Sequence, residues 1–123
     1  MKISFLATCI VLLIFNSAYG EVKLPALVRD SMVLQRIAKV KIWGWATNGE
    51  KITVSFAGKK YRTVTGSDGK WMVLLSPMKV GGPFTMNIDA SNHIVLKDVL
   101  MGDVWFCSGQ SNMVHQMELH KER

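Results

Sequence analysis

The sequence predicts an all-β sandwich, jelly-roll-like and antiparallel, followed by the first strand, turn and helix of an α/β domain. Three observations lead to this prediction. Polar and apolar residues alternate in short runs between residues 21 and 100, and turn signals separate these runs at intervals of about ten residues. The alternation then stops at Val104. We therefore predict one β-sandwich domain over residues 21–100 and the start of a second domain over residues 101–123.

The first twenty residues have the composition of a cleaved secretory signal. Lys2 supplies a positive charge, residues 3–15 are almost entirely apolar, and Ala18 and Gly20 are small residues at the positions that a signal peptidase reads. The apolar run is shorter than the roughly 20 residues that a membrane-spanning helix needs. We expect residues 1–20 to be removed, leaving a secreted or periplasmic protein with no stable membrane anchor.

The charge pattern favours a solvated surface. The formal net charge is +6 at pH 7, but the lysines are scattered, and only Lys59-Lys60 and the final "HKER" form clusters. A nucleic-acid site would concentrate these charges, so we expect no nucleic-acid partner. Weak attraction of an acidic sugar is compatible with this surface.

The cysteine and histidine content bounds the chemistry. Cys107 is the single thiol left after signal removal, so we expect no disulfide, and its apolar neighbours predict a small core residue. His93, His115 and His120 have no cysteine or carboxylate neighbours at the spacing of a metal site. We therefore expect neither a metal nor another cofactor.

Two runs show the strand alternation most clearly. The run "KVKIWGWA" places Ile42 and Trp43 on opposite faces, and "KITVSF" alternates apolar with polar residues. Asn48 and Gly49 lie between the two runs and predict a hairpin that joins them. Further strands are predicted over "YRTVT", "WMVLL", "FTMNI" and "HIVLKDV". Four aromatic residues are compatible with a sugar-stacking face, although aromatic residues of a sandwich usually belong to its core: Trp43, Trp45, Trp71 and Phe84.

The pattern changes in "GDVWFCSGQSNM". Residues 104–107 are all apolar, which predicts a strand covered on both faces, as in the parallel sheets of α/β domains. A turn and the helix-forming run "SNMVHQMELHKER" follow. Ser111 then has two interpretations: a helix cap, or a hydroxyl exposed at the carboxyl end of a strand, where such sheets hold ligands. Met113 replaces the last glycine of a G-x-S-x-G nucleophile elbow, which excludes that motif.

The quoted segment also carries a family resemblance. Together with "LPALVRDSMVLQR", "KIWGWA" and "SDGKWMVLLSPMKVGGPFTM", "LMGDVWFCSGQSNM" resembles the N-terminal portion of sialate O-acetylesterases, which are secreted or lysosomal members of the SGNH hydrolase superfamily. The resemblance implies hydrolysis of O-acetyl esters of sialic acids. It implies that Ser111 is the nucleophile and that its backbone N–H is an oxyanion donor. It also implies that Gln110 and Asn112 contact the substrate.

The remaining parts of such a site are expected to lie outside these 123 residues. In the family, the general base comes from an Asp-x-x-His block, which is absent from this sequence. His115 is expected to lie on the predicted helix that leads away from Ser111, with no aspartate at a useful spacing, and His120 is further along the sequence. Asp103 is expected to be a loop or cap residue. We therefore expect a truncated catalytic domain and an inactive fragment.

Two other functions stay open. An esterase of the same superfamily acting on acetylated xylan or another carbohydrate would use the same chemistry. A non-catalytic β-sandwich that binds a glycan or a partner domain would keep the serine turn for structural reasons only.

The signal interpretation makes a direct prediction. N-terminal sequencing of the exported product should begin at Glu21, because Ala18 and Gly20 occupy the positions that a signal peptidase reads. A soluble cytoplasmic protein that still begins at Met1 would contradict it.

Overall fold

The computed structural model describes residues 20–109, which form seven β-strands and no helix. No helix in that part of the chain is therefore available to cross a membrane. In chain order the strands are β1 (Val33–Gln35), β2 (Val40–Trp45), β3 (Lys51–Phe56), β4 (Lys59–Val64), β5 (Lys70–Leu75), β6 (Gly81–Asp89) and β7 (His93–Gly102). The prediction of an all-β fold over this region is confirmed.

The strands form two sheets of unequal width. The larger is a curled five-stranded sheet in the order β1-β7-β6-β3-β4, and the smaller pairs β2 with β5. All neighbours are antiparallel except β1 and β7, which are parallel. The prediction of an entirely antiparallel sandwich is therefore wrong at β1. This strand is only three residues long, too short to show an alternating pattern in the sequence.

One hydrophobic core lies between the sheets. The predicted alternation of β2 and β3 is confirmed, since Ile42, Ile52, Val54 and Phe56 are all buried. The fully buried side chains come from both sheets and are Ile42, Ile52, Val54, Phe56, Leu75, Met86, Ile88, Val99 and Met101. Each such aliphatic or aromatic side chain contributes about 1.5–3 kcal/mol relative to an exposed one.

The predicted hairpin at Asn48 and Gly49 is wrong. The chain crosses there from the smaller sheet to the larger, because β2 pairs with β5 and β3 pairs with β4 and β6. The two-residue hairpin lies instead between β3 and β4, where Ala57 and Gly58 have φ angles of 48° and 76°. Positive φ at both positions is typical of a type I′ turn. Alanine rarely adopts a positive φ, so Ala57-Gly58 does not have the composition that usually indicates this turn.

Two irregularities curl the larger sheet. The pairing of β6 with β7 shifts between Gly81 and Phe84 and again between Phe84 and Met86. At the second shift Asp98 adopts a φ of 56°, which aspartate tolerates better than most residues. Bulges of this kind bend a strand and increase its twist.

The bulge at Asp98 also attaches the loop before β1 to strand β7. Lys97 donates its backbone N–H to the Asp30 carboxylate at 2.7 Å and accepts at its carbonyl from the Ser31 N–H at 2.9 Å. Beyond this point the Leu100 N–H donates to the Met32 carbonyl at 3.0 Å, and the parallel pairing of β1 with β7 follows. The loop therefore satisfies backbone groups that a bulge leaves unpaired.

The smaller sheet depends on a close approach at Gly44. Gly44 pairs with Trp71. Because glycine has no side chain, the buried indole of Trp71 packs directly over it. A Cβ atom at Gly44 would lie 2.4 Å from the Lys23 carbonyl oxygen and 3.1 Å from the Trp71 ring. Only glycine fits this position without a backbone shift.

We expect Gly44→Ala to destabilise the domain by about 1–3 kcal/mol, because the added methyl group overpacks the core against backbone. Chemical denaturation should show a lower midpoint. Gly81→Ala is the matched control, since a Cβ there would meet only the Phe84 ring at 3.5 Å, an ordinary contact. Equal midpoints for the two variants would refute the packing explanation.

Candidate functional site

The predicted serine site begins where the described chain ends. Ser111, Gln110 and Asn112 lie outside the described residues, as do His115 and His120. Their predicted roles stay predictions.

The segment that leads to these residues is extended and exposed. Residues 103–109 form no strand, and the exposed fractions of Val104, Trp105 and Phe106 are 51%, 85% and 93%. Residues 104–107 therefore form no strand within the described chain, which offers them no neighbouring strand, and the prediction of a strand covered on both faces in a longer domain stays a prediction. Within the described chain the Cys107 side chain is exposed, which contradicts the expectation that it is a core residue.

The start of this segment is held by the end of β1. The Arg36 backbone N–H donates to the Gly102 carbonyl at 2.8 Å, and its guanidinium Nε donates to Asp103 Oδ1 at 2.8 Å. Gln35 Oε1 accepts from the Val104 N–H at 2.9 Å. Three hydrogen bonds thus set the direction in which the chain leaves the larger sheet.

The same contacts shift two pKa values. The hydrogen bond from Arg36, together with its positive charge, holds the pKa of Asp103 below its usual range, and Asp103 raises the pKa of Arg36. Both side chains are solvent-exposed, so the ion pair is screened and its main effect is positional. The prediction that Asp103 is a loop or cap residue agrees with its position just after β7.

A second polar cluster holds the other end of the described chain. Glu50 accepts from the Ser91 N–H at 2.7 Å and from the Thr47 N–H at 3.1 Å. Desolvation raises the pKa of Glu50, but these hydrogen bonds outweigh it, and the net pKa is lowered. Asn92 accepts from the Val22 N–H at 2.9 Å through its side chain. The cluster therefore fixes the incoming chain against the β6–β7 turn.

One aspartate–histidine pair was missed by the sequence analysis. Asp89 Oδ1 and His93 Nδ1 are 2.5 Å apart across the β6–β7 turn. Such a pair can orient an imidazole beside a serine nucleophile. The serine between the two residues in the sequence, Ser91, instead donates its hydroxyl to the Gly20 carbonyl at 3.3 Å. The Asp89 and His93 side chains are both more than half exposed, so the pair is a surface contact. An Asp-x-x-x-His spacing across a turn was the signal that could have identified it.

The aromatic residues divide between core and surface. Trp71 is buried, and Phe84 packs edge-to-face on Phe56 with ring centroids 5.5 Å apart. Trp43 and Trp45 lie on the outer face of the smaller sheet, with exposed fractions of 36% and 40%. The core interpretation therefore holds for two of the four residues.

Within residues 20–109 no three potential ligands lie close enough together to hold a metal ion.

The Arg36–Asp103 contact predicts a pH effect. Because the folded pKa of Asp103 is lowered, the pair stabilises the native state above the unfolded pKa, and this contribution disappears as the pH falls through the folded pKa. In Arg36→Gln, an NMR titration of the carboxyl carbon should show the pKa of Asp103 returning toward its usual range. The control is Arg62→Gln, on the opposite edge strand, which should leave the pKa unchanged. An unaltered pKa in Arg36→Gln would contradict the assignment.

Comparison with known proteins finds sequence relatives that this chain matches over a limited part of their length. The chain is 40% identical over 103 residues to sialate O-acetylesterase of Rattus norvegicus, a match that covers 74% of this chain and 19% of the relative. The Homo sapiens sialate O-acetylesterase matches at the same identity, with 74% of this chain and 20% of the relative covered. No protein-family model matches the chain.

A solved structure gives the same result for the fold. The crystal structure of a carbohydrate acetylesterase from Xanthomonas citri superposes with a TM-score of 0.73 at 37% identity and covers 76% of this chain and 22% of that protein. The chain spans about a fifth of the length of the curated relatives that it matches. The resemblance inferred from the sequence is therefore confirmed: the chain is homologous to a limited region of sialate O-acetylesterase and of a carbohydrate acetylesterase.

Proposed function

We propose that this chain is part of a carbohydrate O-acetylesterase most like sialate O-acetylesterase, and that Ser111 is its nucleophile. The observation that carries the proposal is the 40% identity to sialate O-acetylesterases over three quarters of the chain. The exposed apolar segment at residues 104–106 supports it, because such a segment requires a further layer of protein to cover it.

The reaction would follow the general course of serine esterases. The Ser111 hydroxyl attacks the acetyl carbonyl while a base takes its proton, and the tetrahedral oxyanion is stabilised by the Ser111 backbone N–H. Collapse of this intermediate returns the proton to the sugar oxygen, which leaves as a hydroxyl group. Water then attacks the acetyl-enzyme and releases acetate and the free serine. Gln110 and Asn112 flank Ser111 and would contact the sugar.

The described residues do not complete this machinery. A serine hydroxyl is a weak nucleophile at neutral pH until a positioned base removes its proton. His93 is the histidine within residues 20–109, and its contact to Asp89 is at the β6–β7 turn. Residues 103–109, the exit segment, leave β7 at the opposite end of that strand. The base would therefore come from chain outside residues 20–109.

The substrate and the compartment belong to the same proposal. The likeness to a carbohydrate acetylesterase favours a second candidate, an esterase for acetylated carbohydrates other than sialic acids. We also propose export through residues 1–20, in line with a substrate carried on secreted or cell-surface glycans.

The test compares the 123-residue chain with a full-length homologous esterase on an O-acetylated sialic acid. We expect acetate release and fluorophosphonate labelling in the full-length protein only. Replacing its counterpart of Ser111 by alanine should lower the rate by roughly 10⁴-fold or more, since removal of a catalytic serine leaves little beyond binding and oxyanion stabilisation.

The matched control replaces the counterpart of Ser108, which lies three residues earlier in the same segment. This variant should retain most of the activity. Turnover by the short chain, or a Ser111-equivalent variant with unchanged activity, would refute the assignment. A full-length protein that hydrolyses acetylated xylan but not the sialic acid would favour the second candidate.

A further inference from the structure

The outer face of the smaller sheet carries an unusual set of side chains. On β2 these are Lys41, Trp43 and Trp45, and on β5 they are Lys70, Met72 and Leu74. Antiparallel pairing sets them in three cross-strand rows: Lys41 with Leu74, Trp43 with Met72, and Trp45 with Lys70. We call these six residues the tryptophan face.

The tryptophan face is apolar and yet exposed. Both indoles and the side chains of Met72 and Leu74 are between 36% and 46% exposed. The two indole rings meet at 74° with centroids 5.1 Å apart, so they form an angled apolar surface rather than a flat one. A contiguous exposed apolar patch of this kind marks a binding surface more often than a solvated one.

Lysines lie at both ends of this face. Lys23 forms a backbone bridge to Trp45 on the side opposite β5, so Lys23 and Lys70 are the two cross-strand neighbours of Trp45. Lys41 occupies the other end of the face. None of these lysines takes part in an ion pair within residues 20–109, and no acidic residue occupies an outward position of β2 or β5. The surface therefore complements an anionic partner.

A shallow groove continues the same surface toward β4. It has a volume of about 270 Å³ and is lined by Met72, Val73 and Leu74 of β5 and by Tyr61 and Arg62 of β4. The Tyr61 hydroxyl accepts from the Ser76 N–H at 3.1 Å and thereby holds the two edges of the groove together. Arg62 adds a fourth cation, with a planar guanidinium that matches a carboxylate.

We propose that the tryptophan face and this groove bind an acidic sugar of a glycan, with a pyranose ring on the indoles and its carboxylate among the cations. The C–H groups on one side of a pyranose are weakly positive and pack on the negative face of an aromatic ring. The lysines and Arg62 select for the carboxylate. The site binds sugar without cleaving it.

The choice of a sialic acid as ligand rests on the proposed function, whereas the chemistry of the surface requires only an anionic group attached to an apolar ring. The probe is therefore the methyl glycoside of N-acetylneuraminic acid, which carries no O-acetyl group. Its binding is independent of hydrolysis, so a failure here leaves the esterase assay unaffected, and the reverse also holds.

The experiment follows the four tryptophan indole N–H signals of the chain by NMR during titration. Trp43 and Trp45 should shift, whereas the buried Trp71 and Trp105, which follows β7, should not. Trp43→Ala and Trp45→Ala should each weaken binding about tenfold, which corresponds to about 1.4 kcal/mol. Trp105→Ala is the matched control, because this indole is 85% exposed in the exit segment, and it should bind as the wild type does.

The charge requirement is tested separately. Lys41→Gln combined with Lys70→Gln should weaken binding of the acidic glycoside several-fold, and Lys97→Gln should not. Methyl galactoside, a neutral sugar, should bind more weakly than the acidic glycoside, and added salt should reduce this difference.

Three results would overturn the proposal. The first is equal shifts at Trp105 and Trp43, which would indicate non-specific contact. The second is equal binding of the neutral and acidic sugars. The third is no sugar binding together with a concentration-dependent dimer that Trp43→Ala disrupts, which would identify the face as an interface between copies of the chain.

Discussion

The curl of the five-stranded sheet is the constraint on which the other parts of the structure depend. Bulges bend β6 and β7, and at Asp98 the bend leaves the backbone groups of Lys97 without partners in β6. The loop before β1 binds both groups and so brings β1 alongside β7 in parallel. Gln35 and Arg36 at the end of β1 then hold the chain where it leaves the sheet. The direction in which the chain leaves the sheet after Gly102 thus depends on the hydrogen bonds that the Lys97 backbone makes earlier in β7.

Much of this fold could be predicted from local patterns, and its connections could not. Period-two alternation located β2 and β3, because one face of each strand must be buried. It could not show which strands pair, since Asn48-Gly49 has the composition of a hairpin turn and yet connects two sheets. Ala57-Gly58 forms the actual hairpin against the preference of alanine, because the β3–β4 ladder over-determines its conformation. Tertiary pairing decided both cases.

The candidate site was likewise predictable in part from the sequence. The apolar run at residues 104–107 was recognised as unusual, but hydrophobicity cannot specify what covers a segment, and within the described chain it is exposed. Trp43 and Trp71 are both tryptophans of paired strands, and only the parity of their positions separates surface from core. The alternation of "KVKIWGWA" contained that parity for Trp43. The Asp89–His93 contact required the position of the β6–β7 turn, which the sequence alone did not fix.

The polar cluster at the β6–β7 turn has a mechanical consequence. Val22 is fixed to Asn92 at one end of β7, and the chain departs after Gly102 at the other end. At about 3.3 Å per residue, ten residues of strand separate these points by about 30 Å. A tensile load applied between the incoming and outgoing chain therefore runs along β7 and acts in shear on its ladders to β6 and β1. Many hydrogen bonds then share the load at once, whereas a hairpin pulled from one end opens them singly.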